Sequence, residues 1–235
     1  MSYRTYFMHG LKRVGLEKAV VLYWKMLGRP TDYLTGSRAE RFRTIYRNKR
    51  WSGDREDRPS LSGSGSTLPA TQNLRAALPA FLTEVGAKSL LDAGCGDYYW
   101  MRTVELPCGY IGADIVDTVI AANQNAFGDA THQFVCIDGA AEPLPEADVV
   151  MCREVLFHLS LADGAALLAN IRRTGARYLL ATTEPRVRFN PDIPTGAFRE
   201  INLANAPYRL GEPFRTLPDG DGINPNRVMG VWKLD

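Results

Sequence analysis

The sequence predicts an α/β fold: a doubly wound, seven-stranded sheet sheathed by helices and preceded by an N-terminal helical arm. Three observations carry that prediction. Apolar runs of strand length alternate with helix-period segments from about Thr71 to Thr182, several of the runs end in an acid, and the first breaks into "LLDAGCGD" with two closely spaced glycines. The 235 residues suffice for one large domain with an added cap.

Taken in order, apolar residues at Phe7, Leu11, Val14, Val20, Val21, Trp24 and Leu27 recur at helical spacing between basic residues, which predicts a helix over Thr5 to Leu27. A second helix is expected over Arg38 to Lys49. Residues 1 to 58 hold fourteen of the 28 Lys and Arg against six acids, so this front is a basic module that can meet an anionic membrane, a nucleic acid or an acidic substrate. The stretch "WSGDREDRPSLSGSGSTLPAT" then concentrates Gly, Ser, Pro and charge, marking a linker or a lid and a boundary between residues 1–66 and 67–235. If it folds as a lid, Ser62, Ser64, Ser66 and Thr71 offer hydroxyls, and Trp51, Arg38 and Arg41 close from above.

Beyond it the expected order is a helix from Gln72 to Val85, a strand Ser89 to Asp92, a helix Tyr99 to Val104 and a strand Tyr110 to Asp114. A helix Thr118 to Ala126 and strands His132 to Ile137 and Ala147 to Cys152 come next. A helix Leu161 to Thr174 and a strand Tyr178 to Thr182 follow, then long loops over Glu184 to Asn226 around short strands, and "RVMGVWKLD" as a last strand. Parallel strands of this kind receive ligands beyond their carboxyl ends. Gly94 and Gly96 let backbone approach a ligand, with the following helix offering its positive end. Asp114, about 20 residues further on, stands where a carboxylate accepts from ribose hydroxyls. Asp138 ends a third strand. A plain turn accounts for two glycines equally well, and a nicotinamide-type G-x-G-x-x-G fails because its last position is Tyr99.

The succession "LLDAGCGD", "YIGADI" and "FVCIDGAAEPLPEADVVMCREVLFHL" resembles the class I S-adenosylmethionine-dependent methyltransferases over residues 70 to 183. The resemblance implies a Rossmann-like sheet and S-adenosylmethionine as cofactor. By position, Asp92, Gly94 and Gly96 would hold its methionine part, Asp114 with Ile115 the ribose, and Asp138 with Ile137 and Gly139 the adenine. Arg153 adds a further cofactor contact. Where the family carries a third glycine this chain has Tyr98, an aromatic for packing on the cofactor or walling off the substrate.

His158 is the residue best suited to act as a base, since imidazole titrates near neutrality, although a pocket-wall role fits the same position. Glu154, Glu184, Tyr98 and Arg199 are the expected substrate contacts beside His158; Glu154 and Arg153 can equally pair with each other. The loop from Asn190 to Phe214 adds Phe198, Asn202, Asn205 and Tyr208 for a polar, hydroxylated acceptor such as a sugar. His9 and His132 receive no role.

The family's metal-assisted members carry Asp-Asn where this chain has Thr183-Glu184, so no metal is expected. Its nucleic-acid amino methyltransferases carry an Asn-Pro-Pro-Tyr type of turn where "CREV" stands, which disfavours a nucleic-acid substrate. The four cysteines form no C-x-x-C pair and "AVVLYWKML" is too short to span a bilayer, so a cytoplasmic location is expected, with at most peripheral membrane contact by the arm. The leading expectation is methyl transfer to an oxygen or nitrogen of a small polar acceptor, a saccharide or secondary metabolite. RNA or protein methylation through the arm and a non-catalytic cofactor-binding module are the alternatives.

Overall fold

In the computed structural model, residues 17–28, 31–52, 60–219 and 226–234 are described. The first part of the expected arm helix, His9 and most of the charged linker lie outside them. The helices are α1 (Glu17–Met26), α2 (Arg38–Arg47), α3 (Leu68–Glu84), α4 (Asp117–Phe127) and α5 (Leu161–Arg172). The strands are β1 (Ser89–Ala93), β2 (Gly109–Asp114), β3 (His132–Cys136), β4 (Val149–Cys152), β5 (Tyr178–Thr183), β6 (Arg215–Leu217) and β7 (Val228–Lys233). They form one sheet in the order β3-β2-β1-β4-β5-β7-β6. The five strands β1 to β5 run parallel, whereas β7 is antiparallel to both β5 and β6. The strand order reverses between β1 and β4, and doubly wound sheets open a ligand crevice at such a point.

The central strands are apolar on both faces because each face is covered. Successive residues alternate between two cores: Leu91, Val150, Cys152, Leu179 and Trp232 face one, and Leu90, Val149, Met151, Leu180 and Val231 face the other. The first core is completed by Leu167, Leu168 and Ile171 of α5 together with Phe42, Ile45 and Tyr46 of α2. The second is completed by Leu74, Leu78, Phe81 and Leu82 of α3. Fully burying a side chain of this size stabilises by about 1.5–3 kcal/mol, so α2 is fastened to the sheet by its apolar stripe.

Local chemistry sets the helix ends. Ser37 and Glu40 form a reciprocal capping box at α2, with the Ser37 amide donating to Glu40 Oε2 at 2.7 Å. Ser160 accepts from the Asp163 amide at α5 (3.1 Å). Thr67 caps α3, which begins at Leu68, four residues earlier than expected.

The helix expected over Tyr99 to Val104 is a correction: the chain makes only the single 3-10 turn Met101–Thr103. Tyr98 takes a left-handed φ of 56°, and its ring is buried against Tyr110 (5.0 Å), Phe127 (5.4 Å) and Phe134 (5.0 Å). That anchorage draws the backbone off a helical path, so no helix end with a positive dipole follows the glycine bend.

Candidate active site

A cavity opens at the carboxyl ends of β1, β2, β3 and β4. Its lining includes Asp92, Gly94, Gly96, Asp114, Ile115, Ile137, Asp138, Gly139 and Arg153, which are all the positions assigned to the cofactor by sequence, and also Glu154 and His158. Three expected substrate contacts are not among the lining. Tyr98 lies in the second core for the reason given above. Glu184 is buried under the sheet edge, where Oε2 accepts from the Ile201 amide (2.9 Å) and Oε1 from Arg227. Arg199 is buried behind the His158 turn, donating to the carbonyls of Leu156 and Leu159 and to the Tyr208 hydroxyl (2.9 Å).

The glycine bend works differently from a phosphate cradle. The amides of Gly94 and Cys95 both donate to the Ala113 carbonyl (2.7 and 3.0 Å), and that of Gly96 donates to Asp114 Oδ2 (3.1 Å). Its donors are therefore spent on joining β1 to β2, and what it offers the cavity is bare backbone. Gly96 has a φ of 57°, and a Cβ there would stand 2.3 Å from Ser62 Oγ and 2.9 Å from the Tyr46 hydroxyl. A methyl group at Gly94 would meet Val155 Cγ2 at 2.3 Å.

The three strand-end acids differ in partners. Asp92 is 3 % exposed and accepts from the Tyr110 hydroxyl at 2.9 Å. Burial pushes its pKa up to about 7, against the hydrogen bond from Tyr110 and the charge of Arg153. Asp114 is also pushed up by burial, while the amides of Val116 (3.0 Å) and Gly96 hold it down. Asp138 is gripped from the arm: Arg38 donates to it through Nε (2.9 Å) and pairs through Nη2 (2.8 Å), and reaches Asp163 of α5 with Nη1 (2.8 Å).

His158 occupies the turn after β4. Its Nδ1 lies 2.9 Å from the Ala197 carbonyl, Trp51 stacks on it at 4.7 Å, and Phe157 meets it edge-on at 4.6 Å. Burial lowers its pKa to about 4; the Ala197 carbonyl opposes that shift, and the charges of Arg227 and Arg199 add to it. Arg153, 7 % exposed, is held by Asp219 (2.8 Å) and the Gly65 carbonyl (2.9 Å), and its guanidinium lies 5.3 Å from the Trp100 ring centroid. Against the cost of burial, the charges of Asp219 and Glu154 keep Arg153 protonated.

The Ser/Gly loop folds back as part of the wall. Asp97 accepts from Ser60 Oγ (3.1 Å), the Leu61 amide (2.6 Å) and Ser62 Oγ (2.9 Å), and both Ser62 and Ser66 line the cavity. Arg38 and Trp51 also line it, whereas Arg41, Ser64 and Thr71 do not. Sequence reasoning did not identify Phe42, Tyr46 and Trp100, which line the cavity, nor Asp219 and Arg227, which orient Arg153 and Glu154. The apolar stripe of α2 was a visible signal for the first two. Asp219 and Arg227 depend on contacts across 66 and 73 residues.

Residues 91–176 match a family model described as a methyltransferase domain. Over that span the chain carries a methyltransferase domain. Among solved structures, this methyltransferase is similar to magnesium protoporphyrin IX methyltransferase from Synechocystis PCC 6803 (TM-score 0.55, 18 % identity, covering 87 % of this chain and 94 % of that one). It is also similar to N-methyltransferase NodS from Bradyrhizobium japonicum WM9 (TM-score 0.55, 12 % identity, 81 % and 98 % covered). A third similar structure is human N-acetylserotonin methyltransferase (TM-score 0.52, 16 % identity, 90 % and 61 % covered). At these identities the likeness is one of fold. No curated protein sequence matches the chain. Among the described residues of the methyltransferase, no helix is long and apolar enough to cross a membrane, and no three His, Cys, Asp or Glu side chains are grouped to hold a metal ion.

Proposed function

We propose that the protein transfers the methyl group of S-adenosylmethionine, without a metal, to an oxygen or nitrogen atom of a small polar acceptor such as a saccharide or secondary metabolite. The observation that carries this reading is the convergence of Asp92, Asp114, Asp138 and His158, from four strand ends, on one cavity. The residues suit the cofactor. Asp92 would take its amino group, Asp114 would offer ribose hydroxyls the lone pairs not used by two amides, and Ile115, Ile137 and Leu144 would give an adenine apolar walls. Asp138 would share its carboxylate between the adenine amino group and Arg38.

When bound, the cofactor supplies an electrophilic methyl on a positively charged sulfur. The protein then has to align the acceptor in line with that bond, keep water out and hold the acceptor's proton. Trp51, Phe42 and Tyr46 would close the cavity from above, making residues 1–66 a lid on the domain formed by 67–235. Charges of the arm face the body: Arg38 pairs with Asp138 and Asp163 and Arg43 with Asp117, while Arg50 pairs inside the arm with Asp32. This inward pairing favours a small-molecule acceptor over a polyanion. Calorimetric titration with S-adenosylhomocysteine tests the cofactor half of the reading, with saturable one-to-one binding expected. No heat at millimolar ligand would refute it.

A further inference from the structure

The inference here rests on the methyl-transfer reading and concerns what receives the methyl group. Beside the aromatic wall, the cavity presents lone pairs from a single turn. The Ala197 carbonyl can only accept, so the hydrogen bond at His158 Nδ1 fixes the ring proton there and leaves Nε2 as an acceptor. Four residues earlier, Glu154 holds a left-handed φ of 60°, a strained state for a residue with a side chain, and its amide donates to the Thr182 hydroxyl (2.8 Å). Arg227 binds Glu154 Oε1 at 2.7 Å, while Oε2 has no hydrogen-bond partner among the described residues. A Cβ on residue 65 would sit 2.0 Å from that oxygen, so Gly65 makes the room it occupies. Trp51 and Trp100 line the same cavity with flat apolar surface.

We propose that the acceptor is a neutral molecule bearing two neighbouring hydroxyl groups, as in a saccharide, that it is methylated on oxygen, and that Glu154 is the specificity-determining residue. One hydroxyl donates to Glu154 Oε2 and its neighbour to His158 Nε2. The oxygen at His158 forms the new bond to the methyl carbon as the carbon–sulfur bond breaks, the electron pair remaining on sulfur as a neutral thioether. The hydroxyl proton passes to Nε2, and the imidazolium returns it to water. Oxygen fits this site because a hydroxyl being alkylated becomes strongly acidic, so a weak base suffices to take its proton. An amine would arrive as an ammonium ion, pair with Glu154 and keep a proton that His158 is too weak a base to remove. A carboxylate acceptor would be repelled by Glu154.

The test uses the full chain with labelled S-adenosylmethionine and four matched probes at high concentration: a methyl hexopyranoside, its monodeoxy analogue, its amino-deoxy analogue and the corresponding uronic acid. Transfer to the diol is expected to exceed transfer to each other probe at least tenfold in kcat/KM. Glu154→Gln is expected to shrink the diol-to-deoxy ratio about tenfold, chiefly through the KM of the diol. Transfer favouring the amine or the acid, equal transfer to diol and deoxy probes, or no transfer to any of them while the cofactor binds would each overturn the proposal. Absence of cofactor binding would instead sink the methyl-transfer reading itself.

Discussion

The two ends of the cavity are built by different means. At the cofactor end the β1 and β2 loops satisfy each other, Gly94 and Cys95 on Ala113 and Gly96 and Val116 on Asp114, while Asp138 is held from a distance, by Arg38 of the arm. At Arg153, which borders the cofactor positions, and at the acceptor end nothing is local. Arg153 relies on Asp219, Glu154 on Arg227, which also binds Glu184, and the His158 turn on Arg199 and Ala197. A site made from adjacent strand ends tolerates change in distant loops, whereas one made from buried charges recruited across the chain depends on every partner.

That contrast is broken most severely at Asp219. The Arg153–Asp219 pair is almost fully buried, with side-chain exposures of 4 % and 0 %. Removing one member of such a pair costs roughly 3–5 kcal/mol because the other charge is left unpaired. Asp219→Ala should therefore lower the midpoint of chemical denaturation by that equivalent and disable transfer. A variant as stable as the parent would show that Arg153 does not depend on its long-range partner. Asp114→Ala is next in size. It should weaken cofactor affinity roughly 10- to 100-fold, the worth of charge-assisted hydrogen bonds of about 1.5–3 kcal/mol, and lower stability by about 1–3 kcal/mol through the Gly96 and Val116 amides it leaves unpaired. Unchanged affinity in a calorimetric titration would remove Asp114 from the cofactor site.

Proton linkage sharpens the comparison further. Asp92, with its pKa near 7, is largely protonated in the free protein at pH 6, and a cationic amino group favours its ionised form. Binding should release a proton, and cofactor affinity should rise by up to about tenfold per pH unit below pH 7 and level off above it. Asp92→Asn should flatten that rise, and a flat profile in the parent would contradict the assignment. A separate effect, on stability against pH, belongs to His158. Its folded pKa, about 4, lies below the unfolded value near 6.5, so its contribution to stability is fully present above pH 6.5 and is lost as pH falls toward 4. Turnover should show no inflection at 6.5 from this group, and His158→Gln should remove the stability loss. Tautomer-sensitive nitrogen NMR showing imidazolium at pH 6 would count against it.

The same division explains what could be read from sequence. The strand-end acids and glycines were legible because a short continuous apolar run that stops at Asp92 or Asp114 announces both the strand and its carboxyl edge. The short turn after Tyr98 was not, since nothing local shows that this ring belongs under Tyr110 and Phe134. Glu184 and Arg199 read as acceptor contacts because burial of a charge becomes visible only with its partner, Arg227 or the carbonyls of the His158 turn. The approach of Trp51 to His158 spans a segment whose composition reads equally well as linker or lid.

The central claim is that the strand-end acids and His158 surround one ligand. A crystal structure of the complex with S-adenosylhomocysteine tests it most directly. The account predicts ribose hydroxyls on Asp114, the amino group beside Asp92, and the sulfur in the cavity shared by Glu154 and His158. An adenosyl group bound elsewhere, or those carboxylates left without contact to it, would contradict it.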